Sequence, residues 1–302
     1  MTKENRVSII VLLAAGVFLS CGSSDEAKKE PAQTEATEAT EATLETLRVG
    51  FPPDENPAEI IRKNKPLMDY LKSRTGISNV ELVVPKTYTA AVEEMAAGNL
   101  EIVYFGGLTY VLAKEEVDIT PIVRAVSGGT ADNFTVIVAP TGSGIATLDD
   151  LKGKTFAFGD VASTSGHLIP HQALLQAGID PKKDFAKLEY TGAHDKTALA
   201  VYEGKVEAGA MNARKFPAMI ESGALDKEKI EVVWTSEPFA DYPWAALTSL
   251  GPELIAKLQK AFVELDDPAI LKELRVEGYE TTTDDDFAVL RDAAMKLGFL
   301  GK

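Results

Sequence analysis

The chain has 302 residues, one cysteine and a formal net charge of −15. An acidic surface offers no basic face to a phosphate backbone, which excludes nucleic acid as a partner. One thiol permits no internal disulfide, so the fold must rest on a core that a chain of this length can build. The same charge means that the overall field does not draw anions inward, and an anion site must rely on local dipoles and donors.

Lys3 and Arg6 precede an apolar run from Val7 to Leu19, followed by Ser20-Cys21-Gly22-Ser23-Ser24. A short basic start, an apolar stretch too short to cross a bilayer and small residues at the break predict an export signal over 1–21. Cys21 makes the break lipobox-like and becomes the lipidated first residue, although Phe18 stands where leucine is usual. The alternative is a plain secretory signal with an incidental cysteine; both export the chain. Residues 22–46, with a Thr-Glu-Ala repeat between Thr34 and Thr43, read as a disordered acidic tether that lacks aromatics and any apolar stripe.

The pattern then predicts a strand over 47–51 closed by Pro52-Pro53, and a helix over 58–75 ended by Gly76. A strand at 80–84, a helix over 88–97 stopped by Gly98, and a strand at 100–105 follow, with further strands at 119–126 and 134–139. A second unit opens at 147–151 and continues as a strand at 154–158, a helix over 168–177, a strand at 188–190, a helix over 196–203 and a strand at 206–211. Beyond 230–234 and 245–247 come helices over 252–264, 268–274 and 285–297. This alternation predicts an α/β fold of two lobes around a central cleft. The lobes are expected as 47–139 with 244–302, and 140–243, hinged near Ala139-Pro140 and 241–244.

Ligands of open α/β sheets bind beyond the carboxyl ends of strands. There the sequence places 52–56, Tyr88, Phe105-Gly106, Ser163-Thr164-Ser165, His194, 212–214 and Asp241-Tyr242. The Ser-Thr-Ser run sits where a strand hands over to a helix, whose first N–H groups lack intrahelical partners and carry the positive end of the dipole. Three hydroxyls there suit a tetrahedral oxyanion; an ordinary N-cap is the plainer alternative. His194 follows a strand and can donate to such an anion, while Asp195 reads as the cap of the next helix. His167 and His171 have the four-residue spacing of a helical metal pair, but no third ligand accompanies them and Pro170 intervenes, so they read as packed or solvated. Trp234, Trp244 and Tyr242 read as hinge and core packing. A serine hydrolase built on Ser165, His194 and an aspartate would need a strained Gly-x-Ser-x-Gly elbow, which is absent. No catalytic residue, cofactor or metal is expected.

Tyr88-Thr89-Ala90-Ala91-Val92, Glu101 to Gly107, Ser163 to Pro170, His194 to Val201 and Gly204 to Ala210 together resemble the substrate-binding lipoproteins of phosphate, phosphite and phosphonate ABC importers. The resemblance spans about 47–244 and implies a two-lobed type II periplasmic binding protein fold. It further implies that Ser163, Thr164 and Ser165 hold the oxyanion, that Tyr88, Phe105 and His194 close over it, and that Asp241 accepts a hydrogen bond from it. Phe105 departs from the family, where a tyrosine often stands, and Tyr104 should face the opposite side of its strand. Arg214 stands near where aminoalkylphosphonate binders carry an acidic residue, which favours a small, fully anionic ligand. Resemblance to a subgroup linked to a putative selenate importer, carried by Pro53 to Pro57 and Gly192 to Asp195, makes selenate or sulfate the alternative to a phosphorus oxyanion. The implied partners are the oxyanion, a membrane permease and, through Cys21, the membrane itself; the protein is expected to be a monomer.

Overall fold

The computed structural model describes residues 44–301; the expected export signal, Cys21 and the tether as far as 43 lie outside the described residues. Leu44 packs against the core, and the Asn79 N–H donates to the Glu45 carbonyl at 3.0 Å. The folded body therefore begins inside the segment expected as tether.

The chain opens with β1 (Thr46–Gly50), α1 (Pro57–Thr75), β2 (Asn79–Val83), α2 (Tyr88–Ala96), β3 (Ile102–Tyr104), α3 (Gly107–Glu116) and β4 (Ile119–Val126). The Asn56 side chain caps α1 by accepting from the Ala58 N–H at 2.9 Å, and Gly76 closes it at φ 75°, a left-handed geometry that favours glycine. The first two turns of helix α3 carry no polar stripe to betray it: Leu108, Thr109, Tyr110, Val111 and Ala113 are all buried. Its first residue, Gly107, packs closely under Leu290, whose side chain a Cβ there would push aside.

A short strand, β5 (Asp132–Asn133), precedes β6 (Thr135–Pro140), β7 (Thr155–Phe158), α4 (Ile169–Gln176), α5 (Pro181–Asp184) and β8 (Lys187–Tyr190). Then come α6 (His194–Tyr202), β9 (Ala208–Asn212), α7 (Lys215–Glu221) and β10 (Ile230–Thr235). The chain returns through β11 (Phe239–Ala240) to β12 (Pro243–Leu247), α8 (Pro252–Val263), α9 (Pro268–Leu274), β13 (Gly278–Thr281) and α10 (Ala288–Lys296).

These strands form a six-stranded sheet, β13-β4-β12-β3-β1-β2, and a five-stranded sheet, β10-β6-β9-β7-β8. In the first, β1 runs parallel to β2 and β3 while β12 is antiparallel to β3 and β4. Both faces are covered. Ile102 and Ala246 belong to one apolar cluster, and their neighbours Val103 and Ala245 belong to another, as the pleat requires. We call each sheet with its helices a lobe. Between the lobes runs a two-stranded antiparallel ribbon of β5 and β11.

The ribbon shifts the expected boundary. Strand β6 pairs with β9 and β10, so Ala139 and Pro140 end a strand of the second sheet instead of marking a crossover. A strand's own residues do not reveal which sheet takes it up. The chain crosses back to the first sheet immediately before β12.

Candidate oxyanion site

Ser163 is the helix cap. Its backbone is extended (φ −77°, ψ 136°), and its Oγ accepts the Gly166 N–H at 3.0 Å. The helix starts at Thr164, earlier than expected, as a wide π turn over Thr164–Leu168 in which the Leu168 N–H donates to Ser163 O at 3.0 Å. Pro170 explains the widening: it has no N–H to give the Gly166 carbonyl, which accepts from Gly159 N–H at 2.9 Å instead. Strand and helix start touch backbone to backbone here. A Cβ on Gly166 would sit 2.9 Å from Ser163 Oγ and 3.2 Å from Gly159 Cα.

The three hydroxyls, expected to act alike, have different employment. Thr164 Oγ1 reaches across the cleft and accepts the Leu108 N–H, in the first turn of α3, at 2.7 Å. Ser165 Oγ is buried and has no hydrogen-bond partner. From the other lobe, Tyr88 at the start of α2 presents a second buried hydroxyl with no partner. Burial holds the Tyr88 phenol well above its ordinary pKa, so it is a donor at any working pH. A dry, unpaired polar group costs about 1–3 kcal/mol, which makes two at one place informative.

His194, the first residue of α6, is fully buried. Its Nδ1 accepts the Asn212 N–H at 3.3 Å, so the ring proton sits on Nε2, which donates to Tyr242 Oη at 3.3 Å. Burial pushes the imidazole down to about 3, and it is neutral. Ser165 and Tyr88 also lie close to the Tyr242 hydroxyl, near enough to influence it but without good hydrogen-bond geometry. Polar groups from both lobes thus converge around one tyrosine. Asp195 is not the cap: the helix has already begun at His194, and Asp195 Oδ1 accepts the Lys196 N–H at 2.7 Å from within the first turn.

Asp241 and Arg214 face each other. Asn133 Nδ2 donates to Asp241 Oδ1 at 2.7 Å, Arg214 Nη1 pairs with Oδ2, and Arg214 Nη2 donates to the Asp132 carbonyl at 2.7 Å. Burial raises the Asp241 pKa and Arg214 opposes the rise. Both carboxylate oxygens have protein donors, so the pair ties β9, the ribbon and the return crossover together. Phe105 is buried in the first lobe's second apolar cluster and adds no polar atom. Tyr104 lies on the opposite face, its ring 5.4 Å from Tyr242 and 5.1 Å from Trp244.

Beyond Tyr242 the cleft widens into a cavity of about 340 Å³, walled by Phe51, Tyr104, Trp244 and Tyr279 on one side and by Arg214 and Lys215 on the other. Asp54 and Lys215 escaped the sequence reading of the site except as neighbours of strand ends. Asp54 carbonyl accepts the His194 N–H at 3.1 Å, and its carboxylate lies 3.1 Å from Lys215 Nζ. Burial raises the Asp54 pKa, with Lys215 opposing.

His167 and His171 lie apart from these donors. His167 Nδ1 donates to Val161 O at 2.7 Å, leaving Nε2 to accept from Tyr190 Oη at 3.2 Å and His171 Nδ1 at 3.3 Å. Both rings pack against Phe158.

The family described as "ABC transporter, phosphonate, periplasmic substrate-binding protein" matches residues 49–287. The chain is 31% identical over 287 residues to the phosphate-import protein PhnD of Mycolicibacterium smegmatis, covering 91% of this chain and 86% of the relative. It is 29% identical over 230 residues to the probable ABC transporter phosphite binding protein PhnD1 of Prochlorococcus marinus, covering 73% and 77%. The structure of PhnD1 from Prochlorococcus marinus in complex with methylphosphonate superposes with a TM-score of 0.79 at 24% identity, over 85% of this chain and 99% of that one. These relatives are transport binding proteins, and the family works outside the cytoplasm with an ABC permease as partner. The two-lobed fold and the matched residues lead to one assignment: the chain belongs to the periplasmic substrate-binding proteins of phosphonate ABC transporters.

Proposed function

We propose that the protein captures a small tetrahedral phosphorus oxyanion (phosphite, phosphonate or phosphate) between its lobes and delivers it to its permease without altering it. The observation that carries this reading is the pair of buried, unpartnered hydroxyls, Ser165 Oγ and Tyr88 Oη, which come from opposite lobes beside a helix N-terminus. Tyr242 and the Nε2–H side of His194 complete a neutral donor set, with Ser163 holding the helix start and Thr164 bridging the lobes. Hydroxyl and backbone donors suit an anion, and no base is placed to activate a serine, since His194 Nδ1 is occupied by a backbone N–H. Arg214 acts by neutralising Asp241, and Phe105 by packing behind the site. The lobes meet at the β5–β11 ribbon, and closure about it traps the ligand.

One observation favours selenate or sulfate as a second reading. With Asp241 committed to Arg214 and Asn133, it does not stand ready to accept a hydrogen bond from a ligand hydroxyl, and a proton-free anion meets less opposition than the sequence implied. A thermal-shift screen against phosphate, phosphite, methylphosphonate, sulfate and selenate decides between them. The first three should stabilise the protein most. Stabilisation by selenate alone reverses the ligand assignment, and stabilisation by none of the five contradicts the oxyanion reading.

We further propose that Cys21 carries a lipid anchor, that the acidic segment after it is a spacer, and that the protein works as a monomer. Cys21→Ser should move the protein from the membrane to the soluble fraction and leave anion affinity unchanged. Affinity that falls with release would place part of the site in the spacer.

A further inference from the structure

Helix α7 belongs to the second lobe yet is tied to the first at both ends. At its start, Lys215 Nζ lies 3.1 Å from Asp54 Oδ2 and 3.4 Å from Glu55 Oε1, both in the loop between β1 and α1. Lys63 of α1 also holds Glu55, at 3.0 Å from Oε1 and 2.9 Å from Oε2, so two ammonium groups and two carboxylates alternate in a chain. At its other end, Glu221 pairs with Arg275, the C-cap of α9, at 2.8 Å. The rim pair is solvent-exposed and worth little. The inner group is different: Lys215, Asp54 and Glu55 are 25%, 11% and 19% exposed at the side chain. Helix α7 fully buries no residue, and Phe216, Met219 and Ile220 pack half-buried against the second lobe's core, so the helix moves with that lobe. Lys215, Asp54 and Glu55 share the wall of the wider cavity with Tyr242.

We infer that Lys215 is a positioning residue: a cross-lobe latch that stabilises the closed form by neutralising Asp54 and Glu55, and so sets affinity without touching the ligand. It rests on the reading of the cleft as an anion site. The inner pairs exist only when the lobes meet, and an open protein returns all three groups to water. A latch of this kind changes the fraction of molecules in the binding-competent form, and apparent affinity scales with that fraction whatever the ligand. A lysine that instead attracted the anion directly would matter more for a dianion than for a monoanion.

The test is Lys215→Met, which keeps the stem and removes the charge, beside Lys215→Arg, which keeps the charge. Calorimetry with phosphate, phosphite and methylphosphonate, below and above each ligand's second ionisation, should show Kd for the methionine variant raised roughly tenfold to a hundredfold. The factor should be the same for all three ligands at both pH values, with the arginine variant close to wild type. Amide exchange of His194, whose acceptor is the Asp54 carbonyl across the cleft, reads the same closure without ligand and should quicken in Lys215→Met. Exchange unchanged along with Kd overturns the latch. So does a loss in affinity that grows with ligand charge. A wild-type protein that binds none of the three anions while its His194 amide still responds to Lys215→Met keeps the latch and contradicts the ligand.

Discussion

Replacing Ser165 by alanine is expected to weaken anion binding while leaving the empty protein about as stable as before. The Ser165 hydroxyl makes no well-formed hydrogen bond to the fold, so the fold loses little with it. A hydrogen bond lost to a charged ligand costs about 1.5–3 kcal/mol, or roughly tenfold to over a hundredfold in Kd. Tyr88→Phe should behave alike, because Tyr88 Oη is unpartnered for the same reason and the ring stays to fill its site. Thr164→Ala should differ from both. Its oxygen already accepts the Leu108 N–H, so its loss leaves a buried donor unpaired and destabilises the ligand-free protein. Urea unfolding without ligand and calorimetry with ligand separate the classes. Lower stability for Ser165→Ala would mean that its hydroxyl serves the fold instead of the ligand.

The second large effect concerns acid. Burial lowers the pKa of His194 to about 3 and of His167 to about 4, and lowers that of His171 in the same direction, from an ordinary 6.5. The native protein therefore binds fewer protons than the unfolded chain below pH 6.5. Stability is complete above that pH and falls as the solution is acidified, until the folded-state values are reached. At about pH 5 the deficit is ~2 kcal/mol for each of His194 and His167, since both are still neutral when folded and protonated when unfolded. The buried carboxylates Asp54, Asp160 and Asp241 have raised values, so their effect runs the other way and partly offsets the fall. Urea midpoints between about pH 8 and pH 5 should fall, and His167→Gln should remove ~2 kcal/mol of the fall. A flat profile would show that these rings protonate freely in the folded state. Anion affinity over the same range should follow the ionisation of the ligand alone, because His194 does not change charge there.

Local chemistry was legible in the sequence and long-range pairing was not. Small hydroxyl residues between a strand and a helix mark Ser163 to Ser165 whatever surrounds them, and the strand-end rule reaches Tyr88 and His194 in the same way. How the three hydroxyls divide their work depends on Leu108, which approaches Thr164 from the other lobe. Asp241 looked like a ligand acceptor because Asn133 and Arg214, which occupy its oxygens, arrive from separate elements. The same holds for Lys215, whose partners Asp54 and Glu55 lie far upstream. Helix α3 was hidden because its first two turns are almost wholly apolar and its charges gather at one end, Lys114-Glu115-Glu116. Strand β13 was hidden by alternating Gly-Tyr-Glu-Thr, with Tyr279 its one buried residue. The lobe boundary fell at the wrong end of β6, since both ends of that strand read as turns and only pairing identifies its sheet.

A crystal structure of the wild-type protein grown with phosphite or phosphate tests the central claim most directly. The account predicts one tetrahedral anion beside the start of the Thr164 turn, with Ser165 Oγ and Tyr88 Oη each about 2.5–3.0 Å from its oxygens, as hydroxyl donors to an anion require. An anion seated instead among Arg214, Lys215 and Arg275 in the wider cavity, with both hydroxyls still unpartnered, would contradict it.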